Sequence, residues 1–461
     1  YMKNDKEINQ IIRVIKELFQ KNKNNPNELS KLIDTYLIPQ ELEKKSNAEV
    51  STPYTLRNEM LDTITKYGNP DFWKTPKKVF EPCSGKGGFL IDILNRFMEG
   101  LKEYEPEQDK RYKLIVEECI YFSDINPTNI FINKLLLDPD NKYKLNYNEG
   151  NTLELDIKDK WGLEGFDLVV GNPPYNAPSE FKQNTKILWD KFTIQAINKW
   201  LIKDKFLLYI HPSGWRRPDN ELFNLMIKYQ IYYLKIYNDI EGKKIFNCST
   251  RADYYLLKKS KINSNTVIIF EDKEKLDINL LNHYGFIPNY GYKIYQKILK
   301  KLKNGLNAEI SSKLGTSNKN VNMVKTDIYK YPLFNSNSNK NGLNIRYSSI
   351  KHPNYNDKKV LFSTGRYIYP IYDNGEMGST QGGIFIKVDN KEEGEKLIEY
   401  LNSNIVKFII KTSKWSTFAI HKEVFKYIPN LINEFKIINN KKLYKYFELT
   451  KKQIEYIEQN I

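Results

Sequence analysis

Between Lys77 and Lys259, short apolar segments alternate with longer segments whose apolar residues recur at helical spacing. This alternation predicts an α/β domain with a mostly parallel sheet, because parallel strands need long, usually helical, crossover connections. The predicted strands are Lys78–Phe80, Cys119–Ser123, Lys144–Tyr147, Phe166–Val170, Phe206–Ile210, Ile231–Ile236 and Tyr254–Lys258. The predicted helices are Gly88–Glu103, Thr128–Leu137, Leu188–Lys199 and Asn220–Lys228.

The rest of the chain lacks this alternation. Apolar residues between positions 5 and 20 recur at helical spacing with Lys and Glu between them, which predicts an amphipathic helix. A second short helix is predicted around Leu29–Leu37. After Lys261 the pattern loosens, and Asn304–Asn344 is rich in Asn, Ser, Lys and Gly, which predicts loops.

Beyond residue 344, short strands are predicted at Val360–Ser363 and Gly383–Val388, and helices at Glu395–Leu401 and Asn404–Thr412. We therefore predict three regions: a helical N-terminal segment (1–50), an α/β domain (51–260) and a mixed α+β domain (261–461). This division agrees with the two or three domains typical of a chain of 461 residues.

The net charge favours a polyanionic partner. The chain has 72 Lys and Arg residues against 56 Asp and Glu residues, a formal charge of +16, and nucleic acid is the first candidate for such a charge. The alternative is an AT-rich source genome, because Asn, Lys, Ile and Tyr are all abundant. Composition alone leaves both explanations open.

Cysteine, histidine and hydropathy exclude several classes of protein. The three cysteines lie far apart without zinc-ligand spacing, and the four histidines form no HExxH motif, so we expect reduced thiols and no metal site. No apolar run approaches the ~20 residues that span a bilayer, and no signal-peptide core is recognisable. We expect a cytoplasmic protein without a membrane partner.

The segment with the most specific chemistry is Asn172-Pro173-Pro174-Tyr175, which follows the apolar strand Phe166–Val170 directly. Two prolines stiffen the turn and remove backbone donors. The Asn172 side-chain carbonyl and the Pro173 backbone carbonyl could then accept both hydrogen bonds of one planar amino group. Tyr175 offers a ring on which a base can stack. The alternative is an ordinary proline turn at the end of a strand.

A glycine-rich turn follows the first predicted strand, in Glu81-Pro-Cys-Ser-Gly85-Lys-Gly87-Gly-Phe89. Glycines allow close approach of a ligand, and the following helix offers free N–H groups at its start. The turn lacks the Walker signature and the dinucleotide fingerprint. The acidic Glu81 before it suits a cationic amino-acid ligand. A purely structural turn is the alternative.

Asp124, which ends the second predicted strand, is a candidate for the two ribose hydroxyls of a nucleoside ligand. A carboxylate at this place in a doubly wound fold commonly has that role. The alternative is a helix cap, which is also common for Asp at the end of a strand.

Together these segments resemble the gamma group of amino DNA methyltransferases, which use S-adenosylmethionine to methylate N6 of adenine. The resemblance covers residues 51 to about 260 and rests on the following motifs: Thr52-Pro53-Tyr54, Glu81-Pro-x-x-Gly-x-Gly-Gly-Phe89, Asp124-Ile125-Asn126-Pro127, Gly150-Asn151-Thr152-Leu153 and Asn172-Pro-Pro-Tyr175. It implies a Rossmann-like class I methyltransferase fold with a seven-stranded, mostly parallel sheet. Farther along, Gly378–Gly382, Tyr400–Ser403 and Lys414–Ser416 look like the specificity region of type II restriction–modification methylases.

The resemblance implies a role for each motif residue. Thr52 would contact the methionine carboxylate of the cofactor, and Glu81 would lie near its amino group. Asp124 would bind the ribose hydroxyls, with Ile125 on the adenine ring and Asn151 at the adenine amino group. The other expected cofactor contacts are Pro82, Cys83, Gly85, Gly87, Phe89, Thr152 and Asn172.

The target base would be held by Asn172, Pro173 and Tyr175, the expected catalytic residues. Family members usually close the other face of the base with a later aromatic residue. Phe246 is our candidate, with plain core packing as its alternative.

Two positions depart from the family pattern. The residue after Gly150 is usually Asp, and here it is Asn151, so Asp156 competes for the same contact. Cys83 stands where Ala is common, and we expect it to act as a small apolar residue rather than a nucleophile.

The leading hypothesis is a sequence-specific adenine methyltransferase that acts on double-stranded DNA as a monomer, with residues 261–461 as its target-recognition domain. A cognate restriction endonuclease is a further candidate partner. Residues that could contact phosphates, each also explicable as a solvated surface charge, are Arg366, Lys411, Lys414 and Lys422. The alternatives are an Asn-Pro-Pro-Tyr methyltransferase acting on RNA or on a protein glutamine, and a non-catalytic DNA-binding module.

Overall fold

The computed structural model describes residues 13, 17, 26–36, 50–176, 187–247, 249–281, 283–311, 314–338, 340–365, 368–415 and 419–461. The amphipathic helix predicted within residues 5–20 lies outside this set except for Arg13 and Glu17, which are helical. The chain divides into two compact units, the first made of residues 1–215 and 221–283 and the second of residues 216–220 and 284–461.

The first unit is built on one nine-stranded sheet. In chain order its strands are β1 (Val79–Glu81), β2 (Ile120–Asp124), β3 (Asn146–Glu149), β4 (Phe166–Gly171), β5 (Leu201–Pro212), β6 (Gln230–Tyr237), β7 (Ala252–Lys258), β8 (Thr266–Ile269) and β9 (Lys275–Ile278). Their order across the sheet is β3-β2-β1-β4-β5-β7-β6-β8-β9. All seven strands expected from the sequence are present.

The expectation of a seven-stranded sheet was wrong in number. Strands β1 to β5 pair in parallel, but β7 runs antiparallel between β5 and β6, and β8 and β9 extend the far edge. The sheet is therefore mixed. Both additional strands lie beyond residue 260, and β9 is a mostly exposed edge strand, Lys-Leu-Asp-Ile, without the apolar run that marks a buried strand.

The described helices of the first unit flank this sheet. In chain order they are α1 (Pro26–Tyr36), α2 (Tyr54–Thr63), α3 (Gly88–Gly100), α4 (Gln108–Leu114), α5 (Pro127–Leu137), α6 (Ile157–Trp161), α7 (Trp189–Gln195), α8 (Glu221–Met226) and α9 (Asp239–Phe246). Helix α5 begins where the sequence favours a start, because the Asn126 side chain accepts the Thr128 N–H and Pro127 occupies the first turn.

The order of the strands creates a crevice at one end of the sheet. The chain builds β1, β2 and β3 outward in one direction and then returns to place β4 on the other side of β1. Doubly wound sheets bind ligands at such a reversal, outside the carboxyl ends of the strands. Strands β1 and β2 are fully buried, so their ends are fixed by the core beneath them.

The second unit contains two four-stranded sheets, ordered β10-β17-β14-β15 and β11-β13-β12-β16. The strands are β10 (Glu309–Ile310), β11 (Val321–Asn322), β12 (Tyr331–Ser338), β13 (Gly342–Ser348), β14 (Lys359–Ser363), β15 (Ile371–Asp373), β16 (Gly378–Ser379) and β17 (Gly383–Lys387). The described helices of this unit are α10 (Tyr292–Lys300), α11 (Lys391–Leu401), α12 (Asn404–Thr412), α13 (Asn440–Tyr446) and α14 (Lys451–Gln459).

The prediction of loops across Asn304–Asn344 was wrong in part. Strand β12 lies inside this Asn- and Ser-rich tract and pairs antiparallel with β13 over most of its own length. Leu333 and Phe334 of β12 are buried, but the strand ends in half-buried polar residues, Asn335 to Ser338, without an apolar alternation. The pairing rests on backbone hydrogen bonds and long-range contacts, which composition does not reveal.

None of the helices in the described part of the chain is long and apolar enough to cross a membrane.

Candidate active site

The motifs found in the sequence meet at the carboxyl ends of three neighbouring strands. Strand β1 ends at Glu81, β2 at Asp124 and β4 at Gly171. A pocket of about 290 Å³ opens there, lined by Val50, Cys83, Gly85, Asp124, Ile125, Asn129, Asn151, Thr152, Leu153, Asn172, Pro173, Pro174, Tyr175, Asn176, Leu188 and Phe192.

A smaller pocket of about 50 Å³ shares four of these residues. It is lined by Ile33, Val50, Ser51, Thr52, Arg57, Glu81, Cys83, Ser84, Gly85, Lys86, Gly88, Phe89 and Asn172. Of the twelve expected cofactor contacts, ten line one pocket or both, and Pro82 and Gly87 line neither. The Pro82 carbonyl accepts the Thr152 hydroxyl at 2.8 Å. Gly87 caps α3 with φ +83°, a conformation that favours glycine.

Asp124 is held rigidly by its surroundings. Its carboxylate accepts the backbone N–H of Gly85 at 2.8 Å, the N–H of Asn126 at 2.8 Å and the amide of Asn129 at 3.3 Å. Burial raises the pKa of Asp124, while these hydrogen bonds and nearby Lys86 oppose the rise. The glycine-rich turn and the carboxylate therefore form one unit at the pocket wall.

Lys86 is linked to Asp124 by hydrogen bonds through the Asn129 side chain. The Lys86 ammonium is buried and donates to Asn129 Oδ1 at 2.8 Å, and the same Asn129 side chain donates to Asp124. In the sequence, Lys86 is notable only because Gly87 follows it where a phosphate-binding loop requires Ser or Thr. Its link to Asp124 depends on Asn129 of α5. Because Asn129 is distant from Lys86 in the chain, no sequence motif predicts this contact.

Glu81 is a fully buried carboxyl beside the smaller pocket. Its Oε2 has no hydrogen-bond partner among the described residues. Burial raises the pKa of Glu81 well above its usual value, and the nearby Arg57 guanidinium opposes the rise. A buried acceptor without a partner is costly, so it fits a site that is completed by a donor from a ligand.

Arg57 is a site residue that the sequence analysis missed. Its guanidinium, 2% exposed, donates to Asp92 at 2.6 Å, to Asp34 at 2.7 Å and to the Thr52 carbonyl at 2.5 Å. A Cβ placed on Gly88 would come within 2.6 Å of it, so this glycine is required for the close approach. A single arginine in a short helix carries no signature that could have identified it.

The Asn172 side chain is oriented by the segment before α2. Its Nδ2 donates to the Val50 carbonyl at 3.4 Å, and its Oδ1 is buried without a partner among the described residues. The amide nitrogen is therefore engaged, and the amide oxygen remains available as an acceptor at the point where both pockets meet.

Tyr175 and Phe246 lie close to one another. Their ring centroids are 6.4 Å apart at 74°, an edge-to-face contact. Tyr175 lines the larger pocket, whereas Phe246 lines neither pocket and belongs to the buried core of the first unit. Phe246 thus packs in the core and also contacts Tyr175, and its expected contact with the target base stays a prediction.

Several apolar residues complete the larger pocket. Ile125 is 57% exposed on the pocket wall, and Leu153, Leu188 and Phe192 also line it. The last three were not predicted. Leu188 caps α7 and Phe192 lies within it, whereas Leu153 follows β3, so only the assembled fold brings them to the same pocket as Ile125.

Asn151 and Asp156 differ in position. Asn151 lines the larger pocket, where its Oδ1 accepts the Leu153 N–H at 3.2 Å and its Nδ2 donates to Glu154 at 2.6 Å. Asp156 lines neither pocket and caps helix α6. Of the two competing candidates, only Asn151 has access to a ligand in the larger pocket.

Cys83 lines both pockets, and burial raises the pKa of its thiol well above the usual value. A neutral thiol is a poor nucleophile, which agrees with the small apolar role expected of this residue.

The candidate phosphate contacts lie in the second unit. Lys411 is exposed in the last turn of α12, and Lys414 and Lys422 are half-buried. The Lys414 carbonyl accepts the Asn289 amide at 2.7 Å. Arg366 lies outside the described residues.

Comparison with known proteins connects this site to one family. Residues 32–210 match the family model described as N-6 DNA Methylase. The resemblance inferred from the motifs is therefore confirmed for this part of the chain. The matched residues include every expected cofactor contact and the Asn-Pro-Pro-Tyr segment.

One curated relative is an uncharacterized adenine-specific methylase of Mycoplasma pneumoniae. It is 23% identical over 294 residues, which cover 48% of this chain and 65% of that protein. The chain thus spans just under two thirds of this relative.

Two solved structures align with most of the chain. The type IIL restriction–modification enzyme MmeI, determined in complex with DNA, aligns with 87% of this chain and 70% of its own at 11% identity and a TM-score of 0.53. The type IIG restriction endonuclease BpuSI aligns with 92% and 62% at 12% identity and a TM-score of 0.38. The first likeness supports an α/β methyltransferase-like fold.

Proposed function

We propose that this protein transfers a methyl group from S-adenosylmethionine to N6 of an adenine flipped out of double-stranded DNA, within a restriction–modification system. The observation that carries the proposal is the Asn172 side chain. Its Oδ1 is a buried acceptor that has no partner in the described part of the chain, and its Nδ2 donates to the Val50 carbonyl. This acceptor lies beside a pocket that also presents Asp124 and Ile125, which suit a nucleoside.

The residues around the two pockets fit S-adenosylmethionine. Asp124 would accept the ribose hydroxyls, and the buried Glu81 oxygen would accept the amino group of the methionine part. Ile125 and Phe192 would pack on the adenine ring, with Asn151 at its edge. The remaining contacts from the motifs are Thr52, Pro82, Cys83, Gly85, Gly87, Phe89 and Thr152. When bound, the cofactor supplies an activated methyl group for an in-line displacement.

The target amino group would be held by two carbonyl oxygens. Asn172 Oδ1 and the Pro173 backbone carbonyl would accept its two hydrogens and stabilise the positive charge that develops on nitrogen. Tyr175 would stack on one face of the base, a contact worth roughly 1–3 kcal/mol, and Phe246 would close the other face. The methylated amine is acidic and loses its proton to water, so no strong general base is required.

The target base must leave the duplex to reach these groups. Its amino group is paired inside DNA, and extrusion costs a few kcal/mol, part of which stacking on Tyr175 would return. Recognition of the surrounding sequence would fall to residues 261–461 as target-recognition domain. The charge of +16 suits a DNA partner, we expect a monomer, and a cognate restriction endonuclease is a further candidate partner.

A methyltransferase that acts on RNA or on a protein glutamine is the second candidate. A glutamine amide nitrogen is planar and could occupy the same two acceptors. We favour DNA because a family described as N-6 DNA Methylase matches residues 32–210 and because the second unit follows it in the chain.

The test is a methylation assay with labelled S-adenosylmethionine and AT-rich duplex DNA, followed by digestion to nucleosides. We expect N6-methyladenine in the product. Label transferred to RNA or protein but not to DNA would select the second candidate, and sequencing of methylated DNA would identify the recognition site.

Asn172→Ala should lower kcat by about 10²–10³, a larger loss than that in cofactor affinity measured by calorimetry. The reason is that the alanine cannot accept the target amino hydrogen. The matched control is Asn198→Ala, which changes an exposed residue of the same unit and should retain full activity. Full activity of Asn172→Ala would contradict the proposed catalytic site.

A further inference from the structure

We propose that the wedge loop, residues 323–330 of the second unit, packs its apolar tip against the bases of the duplex DNA substrate. The inference rests on the proposed function and names the surface that would contact bases. Three features support the proposal: the loop has an exposed apolar tip, internal hydrogen bonds fix its shape, and lysines lie nearby.

The tip exposes three large apolar side chains within six residues. Met323 is 69% exposed, Val324 is 65% exposed and Ile328 is 69% exposed. All residues from Met323 to Ile328 are exposed. Single exposed apolar residues are common on proteins, but a projecting group of three is typical of a surface that is covered by a partner.

The loop is anchored at both ends. It joins β11 to β12, and both strands pair antiparallel with β13, so the loop passes around the end of β13 near Ser348. Short connections with close ends commonly form compact surface loops with functional roles.

Hydrogen bonds hold the wedge loop in one shape. The Thr326 N–H donates to the Tyr329 carbonyl at 3.2 Å, and the Tyr329 N–H donates to the Thr326 hydroxyl at 3.0 Å. The Tyr329 hydroxyl donates to the Lys319 carbonyl at 3.0 Å. A preformed loop loses little conformational entropy on binding.

Lysines lie in the wedge loop and near its ends. Lys325 lies within the apolar tip and Lys330 ends the loop, with Asp327 as the single acidic residue of the loop. The Lys319 carbonyl accepts the Tyr329 hydroxyl, and Lys351 lies beside Tyr355, whose ring centroid is 5.6 Å from that of Tyr331. None of these four lysines forms an ion pair with another described residue. Lys330 lies 5.4 Å from the ring of Tyr331, and Lys351 lies 5.0 Å from the ring of Tyr355.

This combination fits duplex DNA better than a protein partner. Lysine is depleted in the centres of protein–protein interfaces, which favour aromatic residues and Arg. Architectural DNA-binding proteins insert Met, Leu, Ile or Phe between base steps, while cationic side chains nearby neutralise phosphates. The apolar tip would contact bases, and the lysines would contact the two flanking backbones.

The main test replaces the tip with polar residues in Met323→Ser/Val324→Ser/Ile328→Ser. The probe is a fluorescent duplex that contains a site methylated by the wild type, and anisotropy measures its Kd. We expect Kd to rise about five- to a hundredfold and kcat/KM to fall in parallel. The matched control is Ile437→Ser, which changes an exposed apolar residue elsewhere in the same unit and should leave Kd unchanged.

A second variant tests the lysines without touching the apolar tip. In Lys325→Ala/Lys330→Ala, the slope of log K against log salt concentration should become shallower by about two. Affinity for S-adenosylmethionine should stay at the wild-type value in both variants, because the cofactor pockets lie in the other unit.

Two results would overturn the proposal. One is an unchanged Kd and salt slope in both variants while the wild type methylates the probe. The other is a triple variant that loses self-association at unchanged DNA affinity, which would assign the loop to an interface between copies. Absence of methylation by the wild type would instead remove the proposed function, so the two failures are distinguishable.

Discussion

At the scale of single residues, the two carboxyl groups of the site, Asp124 and Glu81, differ in their hydrogen bonding. Asp124 accepts hydrogen bonds from two backbone N–H groups and from Asn129, whereas Glu81 keeps one buried oxygen without a partner among the described residues. Burial raises the pKa of both carboxyls. Only Glu81 leaves a buried oxygen open to a ligand, so we expect its protonation to change most when a cationic ligand arrives.

This difference predicts proton release on cofactor binding. At about pH 6 an α-amino group is cationic, and Glu81 is protonated at any pH below its raised pKa. Pairing with the amino group requires the carboxylate, so binding should release a proton and affinity should fall as the pH falls below that pKa. Calorimetry in buffers of different ionisation enthalpy measures the released protons.

Glu81→Gln should bind the cofactor more weakly and without proton release. The control is Glu99→Gln, which changes an exposed carboxylate and should behave as the wild type. Equal proton release by Glu81→Gln and the wild type would show that another group titrates.

At the scale of secondary-structure elements, hydrogen bonds of one arginine join three helices. Arg57 of α2 bonds Asp34 of α1 and Asp92 of α3, and Ser30 donates to Asp92 at 2.5 Å. Burial lowers the pKa of Arg57, but the two carboxylates outweigh that effect and the net shift is upward. Arg57 lines the smaller pocket together with residues of the glycine-rich turn, so the cluster connects the packing of the helices to that turn.

Arg57→Met should destabilise the first unit by roughly 3–5 kcal/mol, because it leaves buried Asp92 without its cation. Denaturant unfolding measures the loss. Adding Asp92→Asn should recover part of it, since the two residues are directly coupled. The exposed pair provides the control, and Lys102→Met should change stability by less than about 0.5 kcal/mol. A similarly small effect of Arg57→Met would contradict the role assigned to the cluster.

Strands that are buried in the core were predicted correctly from the sequence. Strands β1, β2 and β4 are buried almost throughout, so their apolar runs are visible without a structure. The prediction failed at β9 and at the β12–β13 pair, where exposed or polar strands are stabilised by backbone pairing to distant residues. The spacing of apolar residues predicts a strand only where one face is buried. These strands are only partly buried, so the spacing does not show them.

For the whole molecule, the two units have separate hydrophobic cores with no residue in common. Ligand binding stabilises the structure that contains its site, by about 2.7 kcal/mol when the ligand is present at a hundredfold excess over Kd. We therefore expect S-adenosylmethionine to protect backbone amides of the first unit from hydrogen exchange. Mass spectrometry of peptides should locate this protection around Glu81, Asp124 and Asn172, and protection confined to residues 284–461 would contradict the site.

The motifs of the site were visible in the sequence because each is local. Glycines that allow close approach, an acidic residue after a buried strand and an asparagine before two prolines each have a direct chemical meaning. That reasoning identified residues that the structure places at the carboxyl ends of three neighbouring strands. The strand order was not readable, because pairing partners can be far apart in the chain.

What the sequence alone determined was the type of fold, the motif residues and the chemistry they suit, since these follow from short-range patterns of burial and turn geometry. The tertiary structure decided which partners each group has. In the structure, the Asn172 amide nitrogen donates to the Val50 carbonyl, and Asn129 links Lys86 to Asp124. The Arg57 guanidinium packs against Gly88 of the glycine-rich turn. Those contacts join distant segments, and only a packed core brings their atoms within hydrogen-bonding distance.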